Sequence, residues 1–385
     1  MDFELSSEQR LVQDATAAMS RRDIVPILKA HDANQPLPKA AMRRILEICA
    51  AQGLTAPRIP EADGGAGLSA LTLGLMYEQL PPAVAFGVLS HEVTAARIYA
   101  DSTPEQRQRF LPDIIAARRI ACTATTEPGG GSDTRAIATR AMPDGESYVL
   151  NGAKMWISSI TIADIVNVTA SVGGAGAGGG AVGRFLVERE TSPFEARTID
   201  TLGLRQAHLG EVVFENCRVP KANLVGSIGD AGKVLTLSWL INRPVIGLMA
   251  VNMAQQALDA ALKYAADRTQ FGRPLAQFQL IQELLADIAT AVTTSRLICY
   301  YALSCIDNGD RANHVTAMAK RHALAACQRA ISMAMEVHGA MGIATETGLE
   351  QLYRDVRMLP IPDGTNQILT LIEGRELTGK PAYRG

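Results

Sequence analysis

Two kinds of hydrophobic pattern divide the chain. From about residue 6 to 118, apolar residues recur at spacings of three and four, the period of a helix with one buried face. Ser6-x-x-Gln9 has the form of a capping box, and Leu11, Ala15, Ala18 and Met19 follow it as a first predicted stripe. Met42, Ile45, Leu46 and Cys49 form a second, closed by Gly53. Pro81-Pro82 interrupt the next helix. Thr103-Pro104-Glu105-Gln106 then offers an N-cap, a proline at the first helical position and a reciprocal glutamine, predicting a helix to residue 115.

Between about 120 and 220 the pattern is that of short strands and turns. Tyr148-Val149-Leu150, Asn151-Gly152 and Lys154-Met155-Trp156-Ile157 read as a hairpin with a two-residue turn. Residues 165–169, 185–187 and 212–214 are further β-prone runs, punctuated by Asp144-Gly145 and a glycine-rich tract over 173–183. From about 231 to 378 helical periodicity returns. Val251, Ala254, Leu258, Ala261 and Leu262 line one face, and Leu280, Ile281, Leu284, Leu285, Ile288 and Val292 another. The predicted class is α+β, mainly α. A helical domain (1–119) precedes a small antiparallel β domain (120–229) and a C-terminal four-helix-bundle-like domain (230–385), whose wide alanine-rich stripes suit close helix packing and subunit contacts.

Composition narrows the function. With 47% hydrophobic and 20% charged residues the chain resembles a folded globular protein rather than a disordered one. A net charge of −2 and 5% aromatic residues leave neither a basic footprint nor stacking platforms for nucleic acid. Charges or glycines break the apolar runs within about a dozen residues, short of the roughly 18–20 that span a bilayer, so no membrane association is expected. The acidic start, Met1-Asp2-Phe3-Glu4, is unlike a signal or transit peptide. Six scattered cysteines without a C-x-x-C pair read as reduced thiols of a cytoplasmic protein.

Several motifs lack their required context. Gly174, Gly176 and Gly179 spell G-x-G-x-x-G, but the strand-like run 182–188 follows where a dinucleotide fold needs a helix, so a flexible hairpin tip is expected. No P-loop, H-E-x-x-H or G-x-S-x-G occurs, and the histidines have no ligand spacing, so no metal is expected.

Five segments can carry chemistry, each with an ordinary structural reading beside it. Thr125-Thr126-Glu127-Pro128-Gly129-Gly130-Gly131-Ser132-Asp133 is a hydroxyl-flanked turn after an apolar strand. Trp156 and Ser158 would share one face of a strand, able to wall and hydrogen-bond a flat heterocycle, although a lone tryptophan is ordinarily core. Arg268-Thr269-Gln270-Phe271-Gly272 ends a helix, either complementing its dipole or binding a pyrophosphate. His338-Gly339-Ala340-Met341-Gly342 permits close backbone approach, and Asp363-Gly364-Thr365-Asn366-Gln367 precedes the last helix, where Asp363 is by itself a candidate N-cap.

Together and in this order, with Leu202-Gly203-Leu204-Arg205 between them, these segments resemble the acyl-CoA dehydrogenase family over nearly the whole chain, from about residue 4 to 375. The resemblance implies FAD held between a β domain and a helical bundle. Thr126 and Ser132 would then bond the flavin ring and pyrophosphate region, with Trp156 and Ser158 beside the ring. Arg268, Phe271 and Gln279 would reach the FAD of a neighbouring subunit. Gly339 and Ala340 would lie along the dinucleotide, and Thr365 and Gln367 against its ADP half. Arg243, in Asn242-Arg243-Pro244, and Ser132 would contact an acyl-CoA substrate. The resemblance further implies a homotetramer, a dimer of dimers, and an electron-transfer flavoprotein as electron acceptor.

The sequence departs from the family at its catalytic position, where Asp363 stands in place of the usual glutamate, about 1.5 Å shorter. Asp363 is nonetheless the expected base, taking the α-proton while a hydride leaves the β-carbon for flavin N5. Pro362 stands where an aromatic residue is common, and Asn242 where some relatives carry the base. These changes point to an unusual, branched or cyclic acyl group. Two alternatives keep the flavin: an oxidase of nitroalkane-oxidase type, and a dehydrogenase of a carrier-protein-bound acyl group. A third reading is a flavin-binding protein without catalysis.

Overall fold

A computed structural model describes residues 4–133, 136–173 and 180–382, with side chains at 231 and 233–236 outside the description. Six helices come first: α1 (Ser7–Met19), α2 (Val25–Lys29), α3 (Lys39–Ala50), α4 (Ala70–Tyr77), α5 (Pro82–Asp101) and α6 (Pro104–Ile115). The two capping boxes form as predicted, Ser6 with Gln9 and Thr103 with Gln106. The second stripe, Met42, Ile45, Leu46 and Cys49, is buried. The first is rotated: Leu11, Ala15 and Ala18 face solvent, while Val12, Thr16 and Met19 turn inward. Thr16 can do so because its hydroxyl donates back to the Val12 carbonyl at 2.8 Å.

The middle of the chain is an eight-stranded sheet: β1 (Ala121–Ala124), β2 (Arg140–Asp144), β3 (Ser147–Ser158), β4 (Ile165–Val172), β5 (Ala181–Glu188), β6 (Glu195–Thr198), β7 (Leu209–Pro220) and β8 (Leu224–Val225). Most neighbours run antiparallel, as the turn-rich pattern suggests, but β4 pairs in parallel with both β1 and β2. Asn151-Gly152 is not a turn. β3 runs straight through it, and the hairpin closes at Gly145-Glu146 between β2 and β3. Gly152 instead marks a register shift against β7, and a Cβ there would sit 2.7 Å from the Thr139 Cα. Residues 174–179, which hold Gly174, Gly176 and Gly179, lie outside the described residues; β4 and β5 on either side pair antiparallel.

Helices return as α7 (Ala231–Asp267), α8 (Gln279–Asp307), α9 (Asn313–His338), α10 (Leu349–Val356) and α11 (Asn366–Thr378), with a short hairpin of β9 (Thr269–Gln270) and β10 (Arg273–Pro274) between α7 and α8. One continuous core joins α1 and α3–α5 to α7–α9, a second fills the sheet, and a third seals α5 and α6 against β1, β4 and β5. Residues 237–267 of α7 are long and apolar enough to cross a membrane, contrary to the expectation from charge spacing; 67% of that apolar window is buried in the fold, as in a core helix. All six cysteines are unpaired and buried.

Candidate active site

The glycine-rich turn after β1 is held from inside. Glu127 and Gly130 exchange backbone hydrogen bonds of 3.0 and 3.1 Å. The Glu127 carboxylate accepts from the Ala138 and Thr139 amides at 2.6 and 2.9 Å and from Lys154 Nζ at 2.8 Å. Burial of the Lys154 ammonium pushes its pKa down to about 8, against the pull of Glu127. Lys154 lies on β3, and the next residue, Met155, donates its amide to the Thr126 carbonyl at 2.9 Å. Thr126 and the tryptophan segment are thereby brought side by side.

Trp156 does not follow simple strand alternation. A bulge between Lys154 and Ile157 places it in the left-handed region at φ 62°, with half its surface exposed. The indole is held out of the core on a bulged strand, and in the turn bonded to the same strand Thr125 Oγ1 is buried without a hydrogen-bond partner. Ser158 is half-buried and Ser132 exposed. At the far end of α7, Phe271 and Gly272 both have positive φ and form the tip between β9 and β10. Arg268, Phe271 and Gln279 are exposed there and do not touch the Thr126–Trp156 cluster among the described contacts. Gly339 has φ 57° and nothing within 4 Å of an added Cβ, and with Ala340 it is exposed.

Asp363 is not the N-cap of α11. Thr365 is, accepting from the Ile368 amide, and Asp363 lies in the loop before it at φ 53°. The side chain is therefore free for another task. Asn242 Nδ2 donates to Asp363 Oδ2 at 2.7 Å, and Arg243 Nε lies 3.5 Å from the Asp363 carbonyl oxygen. From α9, buried Lys320 donates to the carbonyl oxygens of Pro362 and Gly364. Burial lowers the Lys320 pKa to about 7, with Asp363 opposing that drop. Gln367, the second residue of α11, is exposed, and Asn366 Oδ1 is buried without a partner.

Behind this loop lies a polar cluster that sequence reasoning missed. Arg58 Nη2 donates to Glu92 Oε1 at 2.7 Å and to Asn242 Oδ1 at 2.8 Å. Arg97 on α5 donates twice to Ser238 Oγ on α7. Glu92 is fully buried, and desolvation raises its pKa to about 7 despite Arg58. The signal was a charge within an apolar helical run: Glu92 and Arg97 among valines and alanines of α5, Lys320 on the alanine face of α9. Two surface clefts, of about 290 and 380 Å³, are lined around Thr198 and Arg205 and around Asp287 and Arg329; neither contains Asp363.

Leu202-Gly203-Leu204-Arg205 turns out to be architectural. A Cβ on Gly203 would meet the Arg354 carbonyl oxygen at 2.3 Å, and the Leu204 amide donates to Asp355 Oδ1 at 2.5 Å. The motif pins the sheet to α10 and the loop that leads on to Asp363.

Three family models cover the chain: acyl-CoA dehydrogenase N-terminal domain over residues 6–118, middle domain over 122–217 and C-terminal domain over 233–378. The chain belongs to the acyl-CoA dehydrogenase family. Cyclohex-1-ene-1-carbonyl-CoA dehydrogenase of Geobacter metallireducens is 33% identical over 379 residues, 97% of this chain and 98% of that protein. The structure of butyryl-CoA dehydrogenase from Megasphaera elsdenii matches with a TM-score of 0.90 at 26% identity, covering 98% of this chain and all of that one. An FAD complex of PigA matches at 0.89 and 25%, covering 98% and 99%. The chain is an FAD-dependent acyl-CoA dehydrogenase. The exposed indole, the orphaned Thr125 hydroxyl and the open backbone at Gly339 are features that suit a flat ring with a long polar tail.

Proposed function

We propose that Asp363 is the base of an α,β-dehydrogenation. Its carboxylate takes the α-proton of an acyl-CoA thioester, the β-hydrogen leaves with its electron pair, and the trans-2-enoyl thioester remains. FAD supplies the acceptor for that electron pair. The observation that carries the reading is the left-handed Asp363 with its carboxylate anchored by Asn242 and its peptide held by Arg243 and Lys320. Base catalysis requires near-contact geometry, about 2.6–3.2 Å between heavy atoms, and the Asn242 anchor supplies the fixed aim that such contact needs.

In this reading Thr126 and Ser132 bond the flavin ring and pyrophosphate region, and Trp156 and Ser158 flank the ring. Gly339 and Ala340 run along the dinucleotide, Thr365 and Gln367 lie on the ADP half, and Ser132 and Arg243 bind substrate. Arg268, Phe271 and Gln279 serve the FAD of a neighbouring subunit in a homotetramer. Support for assembly comes from the apolar side chains exposed on the same segments, Phe271 at 89%, Leu280 at 74% and Ile343 at 76%. Electrons pass onward to an electron-transfer flavoprotein. The acyl group is unusual, branched or cyclic: the short Asp363 and Pro362 before it leave room near the α-carbon.

The test is anaerobic mixing of the holoenzyme with butyryl-, isobutyryl- and cyclohexanecarbonyl-CoA, a carrier-protein thioester and nitroethane, followed at the flavin absorbance band. Bleaching by a CoA thioester, lost in Asp363→Asn with FAD retained, is the expected result. Bleaching by nitroethane alone, or by the carrier-bound thioester alone, replaces this reading with the corresponding one. An Asn variant that reduces at the wild-type rate overturns the base assignment.

A further inference from the structure

We propose that Asn242 is a positioning residue for Asp363, oriented by Arg58 so that its amide N–H grips the carboxylate that removes the proton. This rests on Asp363 being the base. The argument starts from donor and acceptor inventory. A guanidinium has five N–H donors and no acceptor, so the Asn242 atom 2.8 Å from Arg58 Nη2 must be the carbonyl oxygen. The other end of the amide is then NH2, and it lies 2.7 Å from Asp363 Oδ2. Neither neighbour tolerates the flipped amide: NH2 would face a cation and C=O a carboxylate.

Arg58 is set in turn by Glu92, at 2.7 Å, fully buried on α5. The order Glu92–Arg58–Asn242–Asp363 alternates acceptor and donor through a site where Asn242 is 3% exposed, so each bond acts in a medium that strengthens it. Asn242 and Arg243 are consecutive on α7 and hold opposite ends of one residue, the former its carboxylate and the latter its carbonyl. The charged groups facing Asp363 are Arg243 from α7, Lys320 from α9 and Arg97 from α5, with Arg58 and Glu92 one bond further away. Of all these, Asn242 alone donates to the carboxylate oxygen in a described hydrogen bond. The device compensates for the short acid: a chain with a longer base could reach by rotamer, whereas Asp363 has two torsions and must be aimed.

The experiment compares Asn242→Leu, which keeps the branching of the side chain but has no hydrogen-bonding group, with wild type, using whichever CoA thioester of the panel bleaches the wild-type flavin fastest. Expected are a 10- to 100-fold slower limiting rate of flavin reduction, unchanged FAD content and thioester Kd, and an acid limb of the rate profile moved to higher pH. Asn242→Gln, which keeps the amide, restores part of the rate. Hydrogen exchange of the 360–366 segment, read without turnover, is faster in Asn242→Leu. If the Leu variant does not hold FAD, Asn242→Ser replaces it with the same expectations. A Leu or Ser variant with wild-type rate and pH profile overturns the relay while leaving the base reading intact. A wild-type rate in Asp363→Asn, or no bleaching of wild type by any CoA thioester, removes the base reading and the relay with it.

Discussion

At the scale of single residues, Asp363 is a short carboxylate held in a fixed presentation. Left-handed backbone at a non-glycine residue costs about 1–3 kcal/mol and persists only where surroundings over-determine it. Here they do: Asn242 holds the Asp363 side chain, and Arg243 and Lys320 hold the surrounding carbonyls. A glutamate in the same place would overshoot Asn242 by about one carbon–carbon bond, some 1.5 Å. Asp363→Glu is therefore expected to slow reduction by the preferred thioester at least tenfold while gaining relative rate on butyryl-CoA, as stopped-flow traces would report. A variant faster on every thioester would show that reach, not aim, limits the natural residue.

At the scale of elements, the glycine-rich turn after β1 depends on one buried ion pair. Lys154 and Glu127 are both almost wholly enclosed, and the glutamate also accepts two backbone amides. Removing one partner of such a pair leaves the other charge buried and unpaired, a loss of about 3–5 kcal/mol. Lys154→Met should lower the melting temperature by that measure and release FAD, since Thr126 and Trp156 are aligned through the same strand. A fully flavinated Met variant with unchanged melting would contradict this account of the turn. The strand pattern near Lys154 was legible in the sequence; the bulge was not, because it arises from register against β7 and not from anything local to Met155-Trp156. The same holds for Asn151-Gly152, a strong turn dipeptide that the approach of Thr139 converts into a bulge within a continuous strand.

At the scale of the whole molecule, helices and sheet are sealed by polar contacts as well as by core. His91 on α5 is fully buried, its Nδ1 accepting from the Ala121 amide at 3.1 Å and its Nε2 donating to the Ile114 carbonyl at 2.8 Å. Acceptance at Nδ1 requires the neutral ring, and burial lowers its pKa from 6.5 to about 4 against the pull of the Ile114 carbonyl. The unfolded chain thus binds the proton that the folded one refuses between those values, so stability falls as pH drops from 6.5 through 4. A shift of that size corresponds to about 3 kcal/mol. Denaturant titrations of wild type and His91→Gln across pH 4–7 check this, the variant losing the part of the slope that His91 supplies; an unchanged slope would refute it.

The sequence by itself determined the order helices, sheet, helices, the capped starts of α1 and α6, the stripe of α3 and the motifs that mark the family, because periodicity and capping are local and survive in one dimension. It also placed Asp363 as the acid to watch. Only the tertiary structure decided that this acid caps nothing, that Asn242 grips it, and that Arg58, Glu92, Arg97 and Lys320 converge behind it from a loop and two helices. Those side chains are separated by up to some hundreds of positions along the chain. Their partnership is set by burial, which forces each enclosed charge or amide to find a donor or acceptor wherever the fold brings one.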